Sequence, residues 1–139
     1  MQLCNEMETV DECLGYRVLK AIDGENRGKG PFRSYVVTDP RSHNVFTLKH
    51  AERASGEAPL RRLLHEHTIA GRLDHATLRR EGRVRRERSR VRVSELGVLY
   101  PFVDGERFDR WQPSTAAAFF DACVDVADGL AHMHSRGVV

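Results

Sequence analysis

The chain has 139 residues, of which 40 % are hydrophobic and 30 % charged, with a mean hydropathy of −0.50. That balance describes one soluble globular domain and excludes a disordered or fibrous chain. No apolar run approaches the 18 residues of a membrane span, and the acidic first 15 residues lack the basic start and apolar stretch of a secretory signal.

The net charge is +2, but it is unevenly spread. Residues 1–15 hold four acids and no base, which leaves +6 on the rest. That excess is accounted for by residues 79–92 (RREGRVRRERSRVR), with eight Arg and two Glu. Three cysteines, Cys4, Cys13 and Cys123, are too few and too scattered for a disulfide framework or a zinc site. Free thiols of this kind fit a reducing, cytoplasmic setting.

Taken in chain order, residues 1–15 read as an acidic flank. Residues 16–22 (YRVLKAI) alternate as a strand does, and Asp23-Gly24 is a turn signal. Three glycines lie within residues 24–30 (GENRGKG). Residues 32–38 (FRSYVVT) and 45–49 (VFTLK) are further strands, separated by turn residues 39–44. Together the three predict an antiparallel meander. Pro59 opens a helix whose apolar residues, Leu60, Leu63, Leu64, Ile69 and Leu73, recur at helical spacing. Residues 78–92 are a strand candidate with an unusual arginine load. Residues 97–103 (GVLYPFV) form the continuous apolar run of a buried strand, and Asp104-Gly105 ends it. A last helix covers about residues 114–136, with Ser114 as N-cap and Gly137 at C′. Its stripe is Phe119, Cys123, Val126, Ala127, Leu130 and Met133.

Several residues carry possible chemistry. Gly28 and Gly30 in a hairpin would let backbone N–H groups approach phosphates, although paired glycines are more often a simple turn. Lys49, at the end of an apolar strand, could reach inward to phosphates; its bland reading is a surface lysine. Glu66, within a helix, could fix that ammonium; its bland reading is a solvated charge. His65 and His67 are two residues apart and do not share a helix face, so they are read as solvated side chains and not metal ligands. Residues 79–92 read by default as a solvated hairpin or a docking surface for an acidic partner, ahead of a nucleic-acid contact, since no aromatic residue interleaves the arginines.

It is the order of these elements that is specific. Gly28-Lys29-Gly30-Pro31-Phe32 resembles the glycine-rich loop of the protein kinase family. Val45-Phe46-Thr47-Leu48-Lys49 resembles its Val-Ala-Ile-Lys strand. Glu66 matches the glutamate of helix C, and Leu73-Asp74-His75 resembles the Leu-x-His turn behind it. Residues 98–105 (VLYPFVDG) resemble the strand and hinge, and residues 126–139 (VADGLAHMHSRGVV) resemble the helix that precedes the catalytic loop, in the serine/threonine style. The resemblance runs over about residues 16–139.

The resemblance implies an α+β fold: an antiparallel sheet of about five strands with helix C, followed by the first helices of the larger lobe. It divides the chain into an acidic flank (1–15), an N-lobe (16–103) and the hinge exit with an incomplete C-lobe (104–139). It implies an ATP-binding portion of a serine/threonine-type protein kinase, which when complete moves the γ-phosphate to protein hydroxyls. Lys49 would hold the α/β-phosphates, oriented by Glu66. Gly28, Gly30 and Phe32 would cover the phosphates, with Thr47 and Tyr100 beside the adenine. Pro101 C=O and Val103 N–H would read the adenine edge. The His-Arg-Asp loop and the Mg²⁺-binding aspartate of the family are not among these 139 residues, so the fragment alone is expected to be inactive.

The sequence departs from the family at Arg33, in place of the third loop glycine, at Thr47, in place of alanine, and at Tyr100, bulky for its position. The residues after His75 are Ala76-Thr77, where the family has Pro-Asn. These departures keep open a second reading, a kinase-like regulatory or scaffolding module without phosphoryl transfer. With no large-lobe helices to cover it, the apolar stripe of the last helix predicts self-association.

Overall fold

The computed structural model describes residues 11–22, 30–80 and 82–139. Six strands and two helices follow one another in the order β1 (Glu12–Cys13), β2 (Tyr16–Ala21), β3 (Arg33–Thr38), β4 (Val45–Glu52), α1 (Glu57–Ala70), β5 (Arg83–Ser89), β6 (Arg92–Pro101) and α2 (Ala116–Ser135). A single turn of 3₁₀-helix, Arg53–Ser55, joins β4 to α1. All the strands lie in one antiparallel sheet of order β1-β2-β3-β4-β6-β5. The architecture is the expected α+β one, with a sixth strand.

Strand period 2 sorts the side chains onto two faces. In the register of β4 with β6, Thr47 faces Tyr100, Lys49 faces Val98 and Ala51 faces Leu96. This face receives α1, and Ala51, Leu60, Leu63, Leu96, Val98 and Tyr100 form its buried cluster. Burying a leucine such as Leu63 completely is worth about 1.5–3 kcal/mol, which is what seats the helix. The opposite face buries Cys13, Tyr16, Tyr35, Val37, Leu48 and Leu99. There the sheet curls far enough that Arg85 of β5 donates through Nε to the Tyr16 hydroxyl of β2 at 3.0 Å.

Several expected boundaries shift. Part of the acidic flank joins the sheet, because Glu12 and Cys13 pair with Arg17 and Tyr16. The turn between these strands then lays Leu14 over Gly97, where a Cβ would also come within 2.7 Å of Leu48 Cδ1. Strand β4 continues past Lys49 to Glu52, so that Lys49 is inside the strand and not at its end. The arginine-rich stretch and the apolar run form one hairpin. Residues 78–82 precede β5, and β6 begins at Arg92, five residues before Gly97, and stops at Pro101, short of Val103. The polar residues of 92–95 belong to the strand because pairing with β5 satisfies their backbone.

Helix α1 starts at Glu57, two residues ahead of Pro59, and ends at Ala70, so Leu73 and His75 lie in the connection beyond it. In α2 the N-cap is Thr115 rather than Ser114: the Thr115 hydroxyl accepts from Ala118 N–H at 3.1 Å. At the other end Gly137 takes φ +73°, its N–H bonds His134 C=O, and Val138 N–H bonds Met133 C=O. That is a Schellman closure, and glycine supplies the left-handed residue without Cβ strain. No helix among the described residues is long and apolar enough to cross a membrane.

Candidate functional site

Lys49 stands on the α1 face of the sheet because it shares the period-2 row of Thr47 and Ala51. Glu66 lies on α1 two turns or so past Pro59, beside the stripe of Leu60 and Leu63 that docks the helix. Seating that stripe carries Glu66 to the lysine: Lys49 Nζ and Glu66 Oε2 are 2.5 Å apart. Both side chains keep contact with solvent, 25 % and 41 % exposed. Such a pair contributes no more than about 1 kcal/mol to folding. Its value is positional, since it holds an ammonium at a set place on the sheet.

Five further side chains surround this pair. The Phe32 ring lies with its centroid 4.9 Å from Lys49 Nζ, and the Arg62 guanidinium approaches the same ring at 5.6 Å. Tyr100 is buried, its hydroxyl 3.5 Å from Glu66 Oε1, and the Arg79 guanidinium stacks on its ring at 4.1 Å. Burial, and then the charge of Glu66, push the Tyr100 phenol up, so it stays a neutral donor. Thr47 is buried across the strands from Tyr100.

Pro101 is the last residue of β6, and Val103 follows in an irregular exposed segment. Among the described residues the Val103 N–H makes no hydrogen bond. Gly30 is two residues from Phe32 and has open space on its Cα. Gly28 lies outside the described residues. The structure thus gathers Lys49, Glu66, Phe32, Thr47 and Tyr100 on one face, with Pro101 and Val103 continuing from Tyr100.

Arg62 was not singled out from the sequence, and Arg79 only as part of the arginine-rich stretch 79–92. Arg62 could have been, because it precedes Glu66 by four residues and shares its helix face. Arg79 could not, because its contact depends on how the segment after α1 returns to the sheet. Among the described residues, no three His, Cys, Asp or Glu side chains gather where they could hold a metal.

A curled antiparallel sheet with one helix on its lysine-bearing face, followed by a short exit segment and a long helix, is the fold of a protein-kinase N-lobe and the start of its C-lobe. The chain is similar to the kinase domain of Mycobacterium tuberculosis PknI, solved as a point mutant. The TM-score is 0.55 at 23 % identity, over 88 % of this chain and 49 % of that one. The chain therefore spans about half the length of that domain. No family model matches the sequence, and no curated protein matches it.

Proposed function

We propose that this chain is the nucleotide-binding portion of a serine/threonine-type protein kinase. The observation that carries the reading is the Lys49–Glu66 pair, 2.5 Å apart, which joins the middle of a sheet strand to the helix packed on it. An ammonium held this way suits the α- and β-phosphates of ATP, because its geometry is set before the ligand arrives. The free Val103 N–H and the Pro101 carbonyl would read the adenine edge, with Thr47 against the base and Tyr100 closing the space behind it. Gly28, Gly30 and Phe32 would lie over the phosphates.

Mg²⁺ would act with the triphosphate by neutralising its charge. Among these residues Lys49 does part of that work by itself. In the whole protein the reaction would carry the γ-phosphate from ATP to a substrate hydroxyl, leaving ADP, with the group that positions that hydroxyl and the metal ligands supplied by residues other than these.

A second reading, a kinase-like regulatory or scaffolding module, draws on Phe32. Its ring packs on the Lys49 ammonium at 4.9 Å, so that the lysine is engaged by Phe32 and Glu66 without a nucleotide. Titration of the 139-residue chain with a fluorescent ATP analogue separates the two readings. The kinase reading expects saturable binding, competed by ATP and lost in Lys49→Ala. Absence of binding by the folded chain, or binding indifferent to Lys49→Ala, would reject it in favour of the module.

A further inference from the structure

We infer that strand β5 is a docking edge for an extended acidic segment of a partner protein, which adds to the sheet as a seventh strand. The site is separate from Lys49 and does not depend on whether a nucleotide binds there.

Four observations converge on β5. It is the last strand in the sheet order, so one side pairs with β6 and, among the described residues, the other side has no strand paired to it. Alternate backbone N–H and C=O groups on that side are therefore turned outward, as a template for a further strand. The strand is seven residues long, ample for such pairing, and all its side chains except Val84 are exposed. It carries Arg83, Arg85, Arg86 and Arg88, and the hairpin that follows adds Arg90 and Arg92. Among the described residues none of these six arginines pairs with a carboxylate.

The arginines also lie on both faces of the sheet. Arg83 and Arg85 are opposite Leu99 and Gly97, while Arg86 is opposite Leu96 on the α1 face. A strand added to this edge, with acids along its length, would meet guanidinium groups above and below the sheet. Two of these groups rest on aromatic rings. Arg83 stacks at 5.0 Å over Phe46, and Arg85 at 5.6 Å over Tyr16 while donating to its hydroxyl. Stacking leaves the other in-plane N–H donors of a guanidinium available to a carboxylate.

The same charge selects the partner. An edge this basic repels a second copy of itself and any neutral or basic strand, the usual protection against edge-to-edge aggregation. An acidic strand meets attraction instead of repulsion and can use the backbone template, which is how strand addition obtains both affinity and selectivity. Nucleic acid suits the charge but not the site. The rings of Tyr16 and Phe46 are covered by arginines and cannot stack with bases, and a phosphate backbone makes no use of an open strand edge.

The test titrates the full 139-residue chain with a labelled peptide of about ten residues alternating glutamate with valine or threonine. Two further probes are the same peptide N-methylated at alternate residues, which keeps its charge but blocks pairing, and a single-stranded oligonucleotide of equal charge. We expect the acidic peptide to bind at low salt, to weaken about tenfold by 0.15 M salt, and to lose at least about tenfold on N-methylation. The double variant Arg86→Glu with Arg88→Glu should abolish binding without loss of the circular dichroism of the fold. Hydrogen exchange on the unsubstituted chain reads the same surface with no substitution. Added peptide should protect amides within residues 83–89. Failure to bind, equal binding of the N-methylated peptide, tighter binding of the oligonucleotide, or protection elsewhere would each overturn the assignment.

Discussion

Gly129 of α2 sits directly under Thr77: a Cβ at Gly129 would lie 2.8 Å from Thr77 Oγ1 and 3.1 Å from Leu78 Cδ2. This contact, with the His75 ring at 5.1 Å from that of His132, ties the segment after α1 to the last helix. Inside an exposed helix, glycine to alanine gains about 1 kcal/mol. Here the close approach reverses the sign. Gly129→Ala should lower stability by about 1–3 kcal/mol, as overpacking does, and Thr77→Ala in the same chain should restore most of it. Thermal melts of the two singles and the double measure this; a higher Tm for Gly129→Ala alone would refute it.

Cys13 is 7 % exposed in the cluster beneath the sheet, and burial first, then the charges of Glu95, Glu52 and Glu87, push its thiol from 9.0 up to about 12. The neutral thiol is the form the fold accommodates. The contribution is whole below about pH 9, where the unfolded thiol is also protonated, and is lost as pH rises toward 12 because only the unfolded thiol ionises. Stability should fall by up to about 1.4 kcal/mol per pH unit in that window, and the fall should shrink in Cys13→Ala. Urea midpoints at pH 8 and at pH 10 (about one unit either side of the free thiol value) report it. Alkylation at pH 8 should modify Cys123, which is half-buried, well before Cys13.

Helix α2 presents Phe120, Val124, Val126 and Leu130 to solvent, each about half exposed or more. On the expected stripe, Cys123 and Met133 are half-buried whereas Phe119, Val126 and Leu130 are exposed. An apolar surface of this kind drives association. Sedimentation of the 139-residue chain should reveal self-association and bound hydrophobic dye, and Phe120→Glu with Val124→Glu should move association to at least about tenfold higher concentration. A monomer with no dye binding at high concentration would contradict this.

These 139 residues contain no His-x-Asp and no Asp-x-Gly sequence. Phosphoryl transfer needs a group to position the attacking hydroxyl and ligands for the metal, and Lys49 with Glu66 supplies neither. The chain by itself should transfer no phosphate from radiolabelled ATP to a generic protein acceptor. Transfer that disappears in Lys49→Ala would show that the missing parts are present in another form.

Local order was legible because it is written in short-range periodicity. Alternation marked strands β2 to β4, a Leu stripe marked α1, and the 3.6-residue repeat with Gly137 marked α2. The pairing of Lys49 with Glu66 was an expectation of the family resemblance, since a strand lysine and a mid-helix glutamate taken singly read as solvated charges.

What lay outside the reach of the sequence depends on contacts between distant segments. Glu12 and Cys13 are too few to show a period, and they become a strand only because Tyr16 and Arg17 offer them an edge. The start of β6 at Arg92 is hidden by charged residues and is decided by pairing with β5. Arg85 meets Tyr16 across 69 residues only because the sheet curls. The return of residues 77–79 after α1 puts Arg79 on Tyr100 and Thr77 on Gly129. The amino-acid sequence by itself determined which segments could be strand or helix and which side chains shared a face. The order and curvature of the sheet, settled by burying two apolar clusters at once, decided which of those faces met.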